Sequence, residues 1–486
     1  MRHRHPFYVL LILLLLPSAV ADAQSPLATL KRAVNEQVSA ARQVAPELGV
    51  HVVEVSSGDE IYGYNADTPR IIASNAKLFT SAAALDRLGP GFFFETPVRV
   101  RGETVSGVLR GDLGVVGGGD PNISGRQYNG DPFGAFREWA EELRRLGIRR
   151  ISGEIFLATG LFDDEWVHPD WPRDQLDRWY QAPVASLSFN DNCVLVKVEP
   201  GAGRGRVGLV PELPIYRIEG RVAVTRKANQ QSVSIGRWAQ APDPGQRDAF
   251  RVGGRIHWRS LQVDKWVTVP DPVRYFGSAL RQALEEEGIA VEGKVVPVER
   301  LPGGGWRTVT IHRTDLITTL EVINKRSQNF YSESLVKLLG ARLCDDGTWE
   351  GGLRAVRDFL DGVGIPEGYR LADGSGMSRK NRAAPSHLTS LLRHMFFHRW
   401  GPEFIRTLPY SGEVDLRWRD RLAEPPYRGN VLAKTGTLNR VSTLSGYAKA
   451  KSGKIYAFSI LCNASRVNWR AKAAQDRILR ALIDHG

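Results

Sequence analysis

Apolar and polar residues alternate through residues 49–64 (GVHVVEVSSGDEIYGY) and break at Ser56-Ser57-Gly58-Asp59. A period of two marks strands with one buried face, and the polar, glycine-containing centre marks a turn, so this stretch predicts a hairpin. The period then lengthens. From Ala76 onward, Leu78, Phe79, Ala82, Ala83, Leu85 and Leu88 recur at helical spacing until Gly89-Pro90 ends the run. Ser74 therefore falls at or next to a helix N-terminus, with Lys77 one turn further on.

Between about 91 and 305 the texture changes to short strand-like pieces broken by glycine, at 98–100, 111–119, 151–157, 221–225, 232–235 and 251–267. Two helical patterns interrupt them, near 133–146 and 275–287. Each leads through Gly-Ile and a second glycine into a strand, the common helix, glycine cap and strand connection. After the glycines 303–305 helical spacing returns, with Leu316, Leu320, Ile323, Phe330, Leu335 and Leu338. Strand patterns follow at 431–433, 442–448 and 455–461, and a closing helix at about 469–482. The predicted organisation is a discontinuous domain, 24–90 plus 306–486, carrying a β-rich insertion at 91–305 made of one or two subdomains.

The N-terminus carries Arg2, His3, Arg4 and His5, an apolar run from Tyr8 to Leu16, then Pro17 and small residues around Ala19, Ala21 and Ala23. This predicts a cleaved signal peptide over 1–23 and an exported chain, periplasmic or extracellular, with no stable membrane anchor; the apolar run is short for a bilayer span. Three cysteines (Cys193, Cys344, Cys462) allow one bridge at most and exclude a disulfide scaffold. The 65 basic against 53 acidic residues give a formal charge of +12, which favours polyanionic neighbours such as wall polymers or acidic phospholipid. Export and the absence of any nucleic-acid motif exclude nucleic acid as a partner.

Chemistry enters through three short motifs: Ser74-Asn-Ala-Lys77, Ser327-Gln-Asn329 and Lys434-Thr435-Gly436-Thr437. On a helix, Ser74 and Lys77 share a face with Cβ atoms roughly 5–6 Å apart. A serine hydroxyl needs a proton acceptor to attack an amide. Lys77 can accept only when neutral, a state that burial and a nearby Lys434 both favour. In the strand pattern around Lys434, Gly436 lets a substrate backbone lie close to the edge. Lys434 and the hydroxyls of Thr435 and Thr437 suit a terminal carboxylate. The backbone N–H groups of Ser74 and Thr437 suit an oxyanion. Ser327 can relay a proton to a leaving amine, and Asn329 can bond the substrate amide. Singly, the motifs are weak, because Ser334-Leu-Val-Lys337 and Ser188-Phe-Asn190 repeat the first two patterns. Lys-Thr-Gly occurs once, and the order of the three selects the set.

On these residues the chain resembles the D-alanyl-D-alanine carboxypeptidases/endopeptidases of the class C low-molecular-mass penicillin-binding proteins. The likeness extends to the nucleophile segment at 69–80, Gly117-Gly-Gly-Asp-Pro121, Ser188-Phe-Asn-Asp-Asn-Cys193 and Asp373-Gly-Ser-Gly-Met-Ser-Arg379, and the large insertion is similar as well. The resemblance implies an α/β (α+β) chain: a β-lactamase/transpeptidase-like domain, antiparallel sheet between helices, with a mostly β inserted region. It implies no cofactor and no metal. Peptidoglycan stem peptides would be the substrates and β-lactam antibiotics the inhibitors. Ser74, Lys77 and Ser327 would be catalytic, and Asn329, Lys434, Thr435, Gly436 and Thr437 would bind substrate. In relatives an acidic residue of the insertion binds the amine of the diamino acid; Asp163 and Asp164 match that role too poorly to join the site. Oligomeric state is left open.

Three rivals carry specific expectations. A serine β-lactamase of class A needs Glu-x-x-x-Asn between the second and third motifs, and none of Glu333, Glu350, Glu367, Glu403, Glu413 or Glu424 has Asn four residues later. A metal hydrolase would draw on His387, His394 and His398, but Met395 stands where the metalloprotease glutamate belongs and no carboxylate joins the stripe. A non-catalytic wall-binding protein has no use for a complete set of reactive residues.

Overall fold

The computed structural model describes residues 25–237, 247–416 and 418–486; the predicted signal segment lies outside them. The two ends of the chain meet in one antiparallel sheet of five strands, in the order Glu60–Tyr64, Glu47–Glu54, Ile455–Asn463, Val441–Lys449 and Val431–Leu438. Val50 pairs with Ile460 across the join. Alternation along Ile455–Asn463 feeds two cores. Phe458, Ile460 and Cys462 pack with helices Pro26–Arg42 and Asn468–His485, whereas Ala457 and Leu461 pack with helices Ala76–Leu88, Asn329–Leu343 and Trp349–Gly362. A sheet between two helical layers results. The first helix starts where Ser25 caps it, accepting from the Ala28 N–H, with Pro26 at the first helical position.

The predicted hairpin forms from Glu47–Glu54 and Glu60–Tyr64, with Gly58 at φ 82° in the turn. Helix Ala76–Leu88 ends at Gly89, whose φ of 75° is costly for any residue with a side chain. Next comes strand Phe93–Val105, which pairs on one side with Val108–Val116 and on the other with Arg307–Asp315. Phe93 lies opposite Asp315, so the β-rich region leaves and re-enters the helical domain at neighbouring points. Asp315 then caps helix Leu316–Lys325, its carboxylate accepting from the Thr318 N–H at 2.8 Å.

The region holds a seven-stranded mixed sheet under helices Gly134–Arg145 and Pro272–Glu286, with smaller sheets from Cys193–Glu199 onward. Two predicted stretches subdivide. Residues 151–157 become Arg150–Ile151 and Ile155–Ala158, separated around Gly153, where a Cβ would strike the Gly111 carbonyl at 2.5 Å. Residues 251–267 become the end of Asp248–Gly253, then Arg255–His257 and Val263–Thr268. The helix expected near 275–287 starts earlier, at Pro272, because Asp271 caps it and accepts from the Arg274 N–H. Gly117-Gly-Gly-Asp-Pro121 sits at the junction. The Asp120 carboxylate accepts from Asn122, and Asn122 donates to Thr319 of helix Leu316–Lys325 at 2.8 Å.

Candidate active site

Ser74 lies in a single 3-10 turn, Ala73–Asn75, that leads straight into helix Ala76–Leu88. Ala73 is held at φ 45°, an uncommon conformation for a residue with a Cβ. The strain is fixed from several sides. Thr443 Oγ1 donates to the Ile72 carbonyl at 2.9 Å, and Asn75 Nδ2 donates to the Lys434 carbonyl at 2.7 Å. Gly376 lies so close that a Cβ there would fall 1.8 Å from the Ala73 oxygen. Gly436 meets the turn on its other flank, where a Cβ would stand 2.9 Å from the Ser74 nitrogen and 2.2 Å from Thr443 Oγ1. Both glycines are demanded by close approach to the serine turn.

Lys77 Nζ is fully buried and donates to Ser74 Oγ at 3.2 Å, Asn329 Oδ1 at 2.7 Å and the Ser375 carbonyl at 2.7 Å. Burial lowers its pKa from 10.5 to about 7, against the opposing pull of Glu333 and Asp373. Lys434 is equally buried and donates to Ser327 Oγ at 2.8 Å and to the Thr435 carbonyl at 2.9 Å. Ser327 adopts φ 58° just before helix Asn329–Leu343. The two lysines thus each bond one hydroxyl: Ser74, Ser327, Asn329, Thr435 and Thr437 line one cleft of about 560 Å³, and Lys77 and Lys434 reach it from buried positions through Ser74 Oγ and Ser327 Oγ. Strand Val431–Leu438 is the edge of its sheet, and the Ala433 N–H points off that edge to the Pro409 carbonyl at 3.0 Å. The period of two then turns the N–H groups of Thr435 and Thr437 outward as well, beside the serine turn.

The sequence motifs alone left out the supports. Loop 373–378 is pinned by two buried carboxylates. Glu333 accepts from the Gly374 N–H (3.0 Å), the Ser375 N–H (2.8 Å) and Trp349 Nε1 (2.9 Å). Asp373 accepts from the Gly376 N–H (2.7 Å), the Ser378 N–H (2.5 Å) and Trp171 Nε1 (3.0 Å). The loop so fixed presents the Ser375 carbonyl to Lys77. The signal available in the sequence was a carboxylate, Glu333, four residues after Asn329 and set among Phe330, Tyr331, Leu335 and Val336.

Residues between strands Val108–Val116 and Arg307–Asp315 also reach the cleft. Asn329 Nδ2 donates to the Tyr180 carbonyl at 2.8 Å, Gln328 Nε2 donates to Asp191 at 3.2 Å, and Gln175, Trp179 and Tyr180 line the wall. Asp191 is itself gripped by Arg126 (Nε at 3.0 Å) and Tyr331 OH (3.3 Å). Residues Asn190, Asp191 and Asn192 all have positive φ, which gives the Ser188–Cys193 resemblance a physical content.

The duplicate motifs are occupied elsewhere. Lys337 is buried, bonds the Asp163 carboxylate and the Glu165 carbonyl, and lies 4.1 Å from the Trp349 ring centroid. Ser188 Oγ donates to the Ala185 carbonyl and Asn190 Nδ2 to the Cys193 carbonyl. Among the histidines, His387 Nδ1 accepts from the Ala384 N–H, and His398 bonds Asp86 at 3.1 Å.

Residues 30–482 match the model of the D-Ala-D-Ala carboxypeptidase 3 (S13) family. The chain is 30% identical over 437 residues to D-alanyl-D-alanine carboxypeptidase of Actinomadura sp. (strain R39), covering 85% of this chain and 77% of that protein. It is 26% identical over 434 residues to D-alanyl-D-alanine carboxypeptidase DacB of Haemophilus influenzae, covering 87% of each. Among solved structures, penicillin binding protein 4 of Haemophilus influenzae superposes with a TM-score of 0.78 at 26% identity, over 91% of this chain and 97% of that one. The same protein complexed with a novel β-lactam gives a TM-score of 0.73. The fold is of the transpeptidase/β-lactamase type with additional sheet-rich domains.

Proposed function

We propose, since the chain belongs to the D-Ala-D-Ala carboxypeptidase 3 (S13) family and is a serine-type D-Ala-D-Ala carboxypeptidase acting on peptidoglycan, that Ser74 is the nucleophile and Lys77 its general base. The observation that carries the assignment is Lys77 Nζ, buried, with a pKa of about 7, and 3.2 Å from Ser74 Oγ. A group titrating near neutrality is the best compromise between availability and basicity for proton abstraction.

The terminal carboxylate of the stem peptide lies against Lys434, Thr435 and Thr437. Asn329 bonds the substrate amide. Ser74 Oγ bonds to the carbonyl carbon of the penultimate D-Ala while its proton passes to Lys77, and the N–H groups of Ser74 and Thr437 hold the oxyanion. The proton taken by Lys77 is relayed through the hydroxyl of Ser327, which is bonded to Lys434, to the departing D-Ala nitrogen as the C–N bond breaks, so that Lys77 is neutral and Ser327 a hydroxyl again. Water then cleaves the acyl-enzyme by the reverse relay. A cross-linked peptide whose leaving amine belongs to a second stem uses the same steps, giving D,D-endopeptidase activity. β-Lactams enter the same relay, but the ring nitrogen stays tethered after opening, so water is kept from the ester and the adduct persists.

The division into a catalytic domain of 24–90 and 306–486 with an insertion at 91–305 is part of this reading, as is export by a cleaved segment 1–23. Among the described residues no helix is long and apolar enough to cross a membrane. Release of D-Ala from a peptide ending in D-Ala-D-Ala, abolished in Ser74→Ala with the fold intact, is the test; undiminished release by that variant would reject the assignment.

A further inference from the structure

In the sheet-rich part of the chain, two turns stand side by side. Strands Ala223–Thr225 and Arg255–His257 pair in parallel, Thr225 opposite His257, and the chain continues from each into a turn. The turns are tied together: the Trp258 N–H donates to the Thr225 carbonyl at 3.0 Å, the Ser232 N–H to the Arg255 carbonyl at 2.8 Å, and Ser260 Oγ to Gln231 at 2.6 Å. On this tip Leu261 is 95% exposed, the highest value among the large apolar side chains of the described residues, and Trp258 is 47% exposed. Arg259 stacks on the Trp258 ring with its Cζ 4.6 Å from the centroid.

Charge is one-sided here. Segments 221–232 and 253–263 contain Arg221, Arg226, Lys227, Arg255 and Arg259 and no acidic residue. The nearest acids in sequence are Glu219, paired with Arg217, and Asp264, which accepts from the neutral Gln262 and keeps its single charge against the five basic residues. None of these residues lines the catalytic cleft.

We propose that this tip is a docking surface for an anionic phospholipid bilayer. Two chemistries coincide on it. Clustered Arg and Lys side chains are drawn to the negative surface potential of anionic lipid. An exposed tryptophan and an exposed leucine among them suit the boundary between headgroups and acyl chains. An anionic wall polymer answers the charges but gives the exposed apolar pair nothing to bury against, which selects the bilayer. One Trp and one Leu are far short of an anchor, so the contact is reversible and salt-sensitive. It adds to the active-site reading without depending on it.

The test is co-sedimentation of the full mature chain with phosphatidylglycerol-containing vesicles, at low salt, against pure phosphatidylcholine vesicles. The expected result is binding to the anionic vesicles alone, weakened at least about tenfold both in Trp258→Ser/Leu261→Ser and in Arg226→Glu/Lys227→Glu/Arg259→Glu. Hydrolysis of a free D-Ala-D-Ala peptide stays unchanged in both, which certifies their folds. Failure of the unsubstituted chain to bind anionic vesicles, or equal binding to both vesicle types, overturns the proposal. So does loss in the charge variant alone, which shows a purely electrostatic contact in which Trp258 and Leu261 bury nothing.

Discussion

Replacing Glu333 by Gln perturbs the proposed base without touching any group in contact with substrate. Glu333 is buried, and burial pushes its carboxyl above the ordinary range, while three N–H donors from Gly374, Ser375 and Trp349 favour the ionised form. That charge is the larger of the two influences that hold Lys77 up at about 7 against its burial. With Lys77 required neutral, acylation should climb with pH through about 7, standing near a tenth of its plateau at pH 6 and near a hundredth at pH 5. In Glu333→Gln the raising charge is gone, and the acid limb moves down by about one unit, equivalent to ~1.4 kcal/mol. The amide offers a single acceptor oxygen where three donors converge, so the variant also loses about 1–3 kcal/mol of stability. The assay is the rate of acylation by a fluorescent penicillin from pH 5 to pH 9, with the melting temperature measured alongside. A limb that stays in place, or moves upward, refutes the claim that Glu333 tunes Lys77 through its charge.

Gly436→Val should slow acylation by about 10²-fold or more while the protein stays folded, because its Cβ would press on the Ser74 nitrogen and on Thr443 Oγ1 and disturb the oxyanion donors; stopped-flow acylation reads the loss. Asp163→Ala leaves the buried Lys337 ammonium without its carboxylate and should cost about 3–5 kcal/mol in denaturant unfolding, most of it recovered when Lys337→Met is added. Asp191→Ala frees Gln328 and Arg126 and should lower kcat roughly tenfold or more by loosening Ser327 and Asn329, with KM for the peptide less affected. Lys77 also sets a stability trend. Its folded pKa of about 7 lies below the unfolded 10.5, so the unfolded chain binds the extra proton between these values, and stability should fall as pH drops from about 10.5 toward 7, with no further loss from this group below that.

Local signals made the catalytic domain readable. The hairpin turn at Ser56–Asp59, the Gly89 stop and the strand around Lys434 are each decided by neighbours in sequence, and each forms close to where the pattern puts it. The family and fold class followed from the order of three motifs. What stayed hidden was long-range. Nothing near Lys77 announces that the Ser375 carbonyl will bond it, because loop 373–378 is placed by Glu333 and by its own Asp373. The contribution of Tyr180 and Asp191 to the cleft depends on how the inserted region folds back over helix Asn329–Leu343. Helix Pro26–Arg42, with Leu30, Val34, Val38 and Ala41 buried, had a readable stripe and a Ser-Pro start, but its role appears only when Asn468–His485 packs beside it.

The central claim, that Ser74 is a nucleophile activated by Lys77, is tested most directly by mass spectrometry of the protein after incubation with benzylpenicillin. Opening the lactam ring loses no atoms, so a shift by the whole mass of the antibiotic is expected, carried on the peptide containing Ser74, lasting far longer than the labelling itself and absent from Ser74→Ala. No adduct, or an adduct on another residue, would contradict it.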